Sequence, residues 1–202
     1  MIHVCYGLYD KFGRYSKFTG TSMLSLFDNT KSEVTVHIFH DNTLSEENKI
    51  KLQSVAENFH QQIKFYNVEI LHADKVNGFV EKLGRIIDTN FSIGTLYRLL
   101  IPQVLPDLEK LIYLDSDIII NLDIAELWQI ELADKPIAAT AEIDIVDDYR
   151  TRGAENFLIR NNFVKVEKYF NAGVLVLNLP KFLNYQTEID DSIKFVANNP
   201  EC

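Results

Sequence analysis

The 202-residue sequence is short of the residues that build covalent scaffolds: it has only two cysteines, Cys5 in an apolar run near the start and Cys202 at the last position. Two thiols so placed indicate no disulfide framework, and a reducing, cytoplasmic setting is expected. Long apolar runs are also missing. No stretch approaches the roughly 18 uninterrupted apolar residues of a membrane span, and Met1-Ile2-His3 does not open a signal peptide. Positive charge is scarce, with 20 lysines and arginines against 29 acids and a formal charge of −9, which argues against an unaided nucleic-acid or anionic-membrane surface. The five histidines, His3, His37, His40, His60 and His72, lack paired metal-ligand spacing. Glycine-rich dinucleotide loops, a Walker loop, a Gly-x-Ser-x-Gly elbow and Cys-x-x-Cys are all absent, so dinucleotide oxidoreductases, P-loop enzymes and serine hydrolases lose ground.

What is present is enough apolar content, 47%, for the core of one sizeable α/β domain over 1–202. Apolar runs predict strands at Ile2–Tyr6, Val34–His40 and Ile63–Val68, with a loop, GLYDKFGRYSK, after the first. Helices are expected at Thr21–Phe27 and from Ser45 to about Gln61, where Leu52, Val55, Ala56 and Phe59 recur at helical spacing and Thr43 and Glu46 have capping-box spacing. This alternation is that of a doubly wound, mainly parallel sheet, which binds ligands beyond the carboxyl ends of its strands. Ala73 to Asn90 is weakly helical. Ser92–Leu105 carries an apolar stripe of Leu96, Leu99, Leu100 and Val104 that leaves Thr95 and Arg98 off it, and Arg98 is a candidate anion contact. Further on come a short helix at Asp123–Trp128, a strand at Pro136–Glu142, a polar and aromatic excursion at Asp144–Asn162, and a helix marked by Ile189, Ile193, Val196 and Ala197.

The stretch Lys110–Asn121, KLIYLDSDIIIN, sets Asp115 and Asp117 between two apolar runs. On an extended chain both carboxylates would face one spot, at a high electrostatic cost unless a cation sits between them. Hard oxygen ligands suit Mg²⁺ or Mn²⁺, which commonly bridge carboxylates and a diphosphate. The alternative is a strand that ends at Leu114 and turns through Asp-Ser-Asp with both acids in water. Downstream, Asn171-Ala172-Gly173 leads into another buried strand, with Gly173 removing a side chain where a ligand could approach.

Taken together, TLYRLLIPQVLP, YLDSDIIINLDIAELW and YFNAGVLVLNLPKF resemble the retaining glycosyltransferases that include glycogenin and the bacterial lipopolysaccharide galactosyl- and glucosyltransferases. The three blocks lie in family order and cover most of the chain. The resemblance implies a GT-A fold, a UDP-sugar donor, Mn²⁺ (or Mg²⁺), and a glycan, lipopolysaccharide or glycoprotein acceptor. It makes Asp115 and Asp117 the metal ligands, with Ser116 between them at the donor. Arg98 and Asn171 match donor-contacting residues, with Thr95 one turn before Arg98. Tyr6 is placed at the end of the first strand, where the family's backbone contacts the uracil, and Tyr15 matches a tyrosine that stacks on the base. Glu142 or Asp144 would face the sugar hydroxyls. No catalytic nucleophile is assigned.

Two departures accompany the resemblance. The loop YGLYDKFGRY is longer than the family's, which leaves the equivalents of its acid and tyrosine, Asp10 and Tyr15, open. The family's later Asp-Gln-Asp and His-x-x-Gly-x-Lys-Pro blocks are not in the sequence. That histidine is the family's third metal ligand, so the chain is expected to be a fragment of a longer transferase, with any membrane contact peripheral and made by the missing part. The competing readings are a haloacid-dehalogenase-type phosphatase, which wants Thr or Val where Ile119 stands, a sugar nucleotidyltransferase, which wants a basic glycine-rich first loop, and a UDP-binding module without turnover.

Overall fold

A computed structural model of the chain describes residues 1–84, 87, 92–141 and 170–199. Its centre is a six-stranded sheet in the order β3-β2-β1-β4-β6-β5, made of β1 (Ile2–Leu8), β2 (Val34–His40), β3 (Gln62–Asn67), β4 (Lys110–Leu114), β5 (Ile137–Ala141) and β6 (Phe170–Asn178). β1, β2, β3 and β4 run parallel, while β6 pairs antiparallel with both β4 and β5. The mainly parallel sheet predicted from the strand-helix rhythm is therefore present, with one reversed strand inserted. That reversal brings the start of β6 to the carboxyl end of β4.

Alternation along the strands divides the core into two faces. Val4, Tyr6, Leu8, Ile38, Ile112 and Leu114 pack on one face, while Cys5, Phe39, Leu111, Tyr113 and Leu175 pack on the other. β2 is buried at every position from Val34 to His40, as an interior strand covered on both sides must be. The first face is covered by α1 (Tyr15–Asn29) and α2 (Glu46–Asn58), the second by α3 (Val68–Leu71), α4 (Ala73–Leu83), a 3₁₀ helix (Ile93–Leu100) and α5 (Ile101–Val104). Short α6 (Ala125–Trp128) and α7 (Leu179–Leu183) precede α8 (Gln186–Asn198).

Several expected boundaries move, each for a local reason. α1 begins six residues before Thr21, because the Asp10 carboxylate accepts from the amides of Tyr15 (2.7 Å) and Ser16 (3.1 Å) and so satisfies its first turn from outside. The capping box at Thr43 and Glu46 does not form: Ser45 caps α2 by accepting from Asn48 N at 3.2 Å, and the Thr43 hydroxyl donates to Asp41. The stripe expected over Ser92–Leu105 also shifts. A 3₁₀ helix repeats every three residues, so Gly94, Tyr97 and Leu100 are buried while Leu96 and Leu99 are only partly covered. β1 continues two residues past Tyr6, and Tyr6 itself is buried with its hydroxyl 3.1 Å from Ser22 Oγ. Glu142, Asp144 and the excursion 144–162 lie outside the described residues.

A histidine pair inside the sheet makes the fold acid-sensitive. His37 is 2% exposed, with its ring nitrogens 3.1 Å from His3 Nδ1 and 3.1 Å from the Tyr66 hydroxyl. Burial, then the neighbouring His3 and Lys64, push the His37 pKa down from 6.5 to about 3. Between those values the unfolded chain holds the extra proton, so stability rises with pH across the window and is lost as pH falls below 6.5. The slope contributed is at most about 1.4 kcal/mol per pH unit. We expect His37→Gln to melt with a smaller difference between pH 7.5 and pH 5 than the parent chain, and equal differences would show that His37 does not carry this dependence.

Candidate functional site

The site lies where β1 has β2 on one side and β4 on the other, the crevice at which open α/β sheets bind ligands. β4 ends at Leu114, and the chain turns through Asp115-Ser116-Asp117. The two acids are therefore not successive same-face positions of a strand, as the extended reading requires. Nor are both simply in water. Asp115 is anchored through its backbone and one oxygen: its amide donates to Gly173 O (2.8 Å), and Oδ1 accepts from Arg98 Nη2 (3.0 Å) and from the Tyr113 hydroxyl (2.9 Å). Asp117 is exposed and lies close enough to Tyr15, itself 41% exposed, for its charge to act on the phenol.

Arg98 reaches Asp115 because two glycines let the 3₁₀ helix press against the end of β1. A Cβ on Gly7 would lie 2.6 Å from Gly94 O, and one on Gly94 would lie 3.0 Å from Tyr9 N. From there the Arg98 guanidinium donates to Thr95 O (2.8 Å) and to Ala172 O, and stacks 4.4 Å from the centre of the Tyr113 ring. It thus ties the 3₁₀ helix, the Asp115 turn and the start of β6 together. Thr95 contributes through its carbonyl. Asn171 Oδ1 accepts from Gly173 N at 2.8 Å, which folds the entry of β6 towards Asp115. At this close approach Gly173 is necessary: a Cβ there would sit 2.9 Å from Asp115 Oδ2 and 3.0 Å from Asn171 Oδ1.

Ser116 is 3% exposed and its hydroxyl has no partner among the described residues. Burial raises the Tyr113 pKa well above its ordinary value, with the Asp115 charge adding to the rise, so the phenol stays protonated and able to donate. Burial, then Asp117 and Asp115, raise Tyr15 likewise. Asp115, Asp117, Arg98, Thr95, Asn171 and Tyr15 are brought to one place. Tyr6, expected there through its backbone at the end of the first strand, lies two residues inside β1, and its side chain packs in the core on the opposite face of the sheet. Tyr113 is the group the sequence reading passed over. Its signal was position: two residues before Asp115, on the same face.

A divalent cation fits what is here as far as the donors go. Asp115 has one oxygen held by two donors and its other oxygen kept clear by Gly173, and a second hard carboxylate stands two residues on. Among the described residues no group of three or more His, Cys, Asp or Glu completes a site. Mg²⁺-type sites with one or two carboxylates draw their remaining ligands from water and substrate phosphates.

Residues 5–201 match the family described as glycosyl transferase family 8. Among curated relatives, general stress protein A of Bacillus subtilis is 24% identical over 93% of this chain and 60% of its own length. Lipopolysaccharide 1,3-galactosyltransferase of Salmonella typhimurium is 27% identical over 80% of this chain and 44% of its own. The chain thus spans about half the length of these relatives. A solved structure of the galactosyltransferase LgtC with donor and acceptor sugar analogues has a TM-score of 0.68 at 21% identity, covering 96% of this chain and 66% of that one. That likeness shows the GT-A architecture expected from the sequence.

Proposed function

Because the chain belongs to glycosyl transferase family 8, we propose that it is the donor-binding part of a hexosyltransferase, which moves glucose or galactose from a UDP-sugar to a glycan or glycoconjugate acceptor with retention of configuration. The observation that carries this reading is the Asp115 carboxylate at the carboxyl edge of the sheet, with Oδ1 saturated and Oδ2 open beside Gly173. Asp115 and Asp117 would hold Mn²⁺ or Mg²⁺. The cation would stabilise the charge that builds on the departing UDP diphosphate. Asp115 and Asp117 fix geometry and do not act as acid or base.

Arg98 keeps a positive charge at the rim where the diphosphate would arrive, and its side chain is only 13% exposed, so water screens that charge weakly. Tyr15, close to Asp117 and 41% exposed, is the candidate platform for the base. Asn171, Thr95 and Ser116 would line the donor side, and Glu142 or Asp144 would read the sugar hydroxyls. Glucose and galactose differ in the orientation of one hydroxyl, so the choice between them rests on polar groups placed against it. No helix of the described residues is long and apolar enough to cross a membrane, and we place the reaction in the cytoplasm on the donor's chemistry and the cysteine content.

A second reading is favoured by one observation, that two carboxylates on a single turn are the whole of the candidate metal set among the described residues. On that reading the chain binds UDP without turnover. Incubation with UDP-glucose or UDP-galactose, Mn²⁺ and oligosaccharide acceptors, read by proton NMR, separates the two. UDP release with an α-linked product supports the transferase, a β-linked product contradicts retention, and nucleotide binding without release supports the second reading.

A further inference from the structure

Tyr113 is 1% exposed and sits in the middle of the sheet, paired with Cys5 of β1 on one side and Leu175 of β6 on the other. Its ring cannot move without disturbing both strands. Yet its hydroxyl does not end in the core: it donates to Asp115 Oδ1 at 2.9 Å, the same oxygen that Arg98 Nη2 reaches at 3.0 Å. Both donors converge on one oxygen, and the face of the other is kept open by the missing side chain of Gly173. A half-turn of the carboxylate only exchanges its equivalent oxygens, but any smaller rotation would break both bonds. The ring also floors the Arg98 guanidinium at 4.4 Å, so the same residue orients the second donor.

We infer that Tyr113 is a positioning residue, which holds Asp115 Oδ1 so that Oδ2 alone is presented to the divalent cation. This rests on the functional reading above. Outer-shell partners of this kind orient metal ligands, and their loss typically weakens metal binding ~10- to 100-fold. A purely structural tyrosine, whose polar tip has taken the nearest acceptor, would affect stability and leave the metal affinity alone.

Tyr113→Phe separates the two, because it keeps the ring, its packing and the stack under Arg98 while deleting one hydroxyl. Mn²⁺ is titrated into the chain with UDP present, and free Mn²⁺ is followed by its electron paramagnetic resonance signal. UDP affinity without metal and the melting temperature are measured alongside. The expected result is Mn²⁺ binding ~10- to 100-fold weaker in Tyr113→Phe, with metal-free UDP affinity unchanged and near-parental melting. Equal Mn²⁺ affinity in variant and parent, or weakening matched by an equal loss of metal-free UDP affinity, would overturn the role given to Tyr113 while leaving the donor site intact. A parent chain that binds no Mn²⁺ with UDP overturns the functional reading itself, and the role of Tyr113 with it.

Discussion

Replacing Asp115 with alanine is expected to abolish Mn²⁺-dependent UDP binding and to lower the stability of the fold by about 1–3 kcal/mol. The second loss comes from the partners left behind. The Tyr113 hydroxyl is buried and would have no acceptor, and the Arg98 guanidinium would lose its carboxylate while keeping Thr95 O and Ala172 O. Because the Asp115 side chain is 36% exposed, water can enter and soften the penalty, which holds it well under that of a fully buried ion pair. Asp117→Ala should behave differently. Asp117 is exposed and, apart from its neighbour Tyr15, holds no other element among the described residues, so its removal is expected to weaken metal-dependent binding by at least about 100-fold, beyond the range for outer-shell groups, with melting near that of the parent. Thermal melts and UDP titrations of the two variants check the contrast, and equal melting of Asp115→Ala and the parent would show that the anchoring of Asp115 stores no stability.

Gly173→Ala is the second large effect. The backbone there does not require glycine, since Gly13 is the only positive-φ glycine among the described residues, so the conflict is one of space. The new methyl would stand 2.9 Å from Asp115 Oδ2, inside the distance real Cβ atoms keep, and a tight 3.0 Å from Asn171 Oδ1. Asp115 cannot yield cheaply, because its other oxygen is held by two donors and its amide by Gly173 O. Overpacking of this kind costs about 1–3 kcal/mol, and the displaced oxygen is the one proposed to meet the cation. We expect Mn²⁺-dependent UDP affinity to fall by more than about 10-fold, a loss of over about 1.4 kcal/mol, with metal-free UDP affinity less affected. Unchanged metal dependence would mean that Oδ2 is not the oxygen used.

How much of this could be seen beforehand varied with the kind of interaction. β2 was legible because Val34–His40, VTVHIFH, is rich in β-branched and aromatic residues, although Thr35, His37 and His40 are buried with the rest. The acidic turn, Arg98 and Gly173 were legible as unusual residues between apolar segments. The misplaced features depend on partners distant in sequence. Asp10 starts α1 from five residues upstream, Asn48 takes the other Asp10 oxygen from α2, and neither contact follows a local spacing rule. Tyr113 looked like one more apolar residue of β4 until its hydroxyl was seen to end on Asp115. The 3₁₀ helix defeated the 3.6-residue stripe, since its buried face repeats every three residues and carries Tyr97, whose hydroxyl donates to Asp41 at 2.7 Å.

The measurement that tests the central claim most directly is calorimetric titration of UDP into the chain with and without Mn²⁺, repeated with Asp117→Ala. The account predicts binding that strengthens with the metal in the parent and no metal effect in the variant. Binding with the same affinity in both chains, regardless of metal, would contradict a donor site built on Asp115 and Asp117.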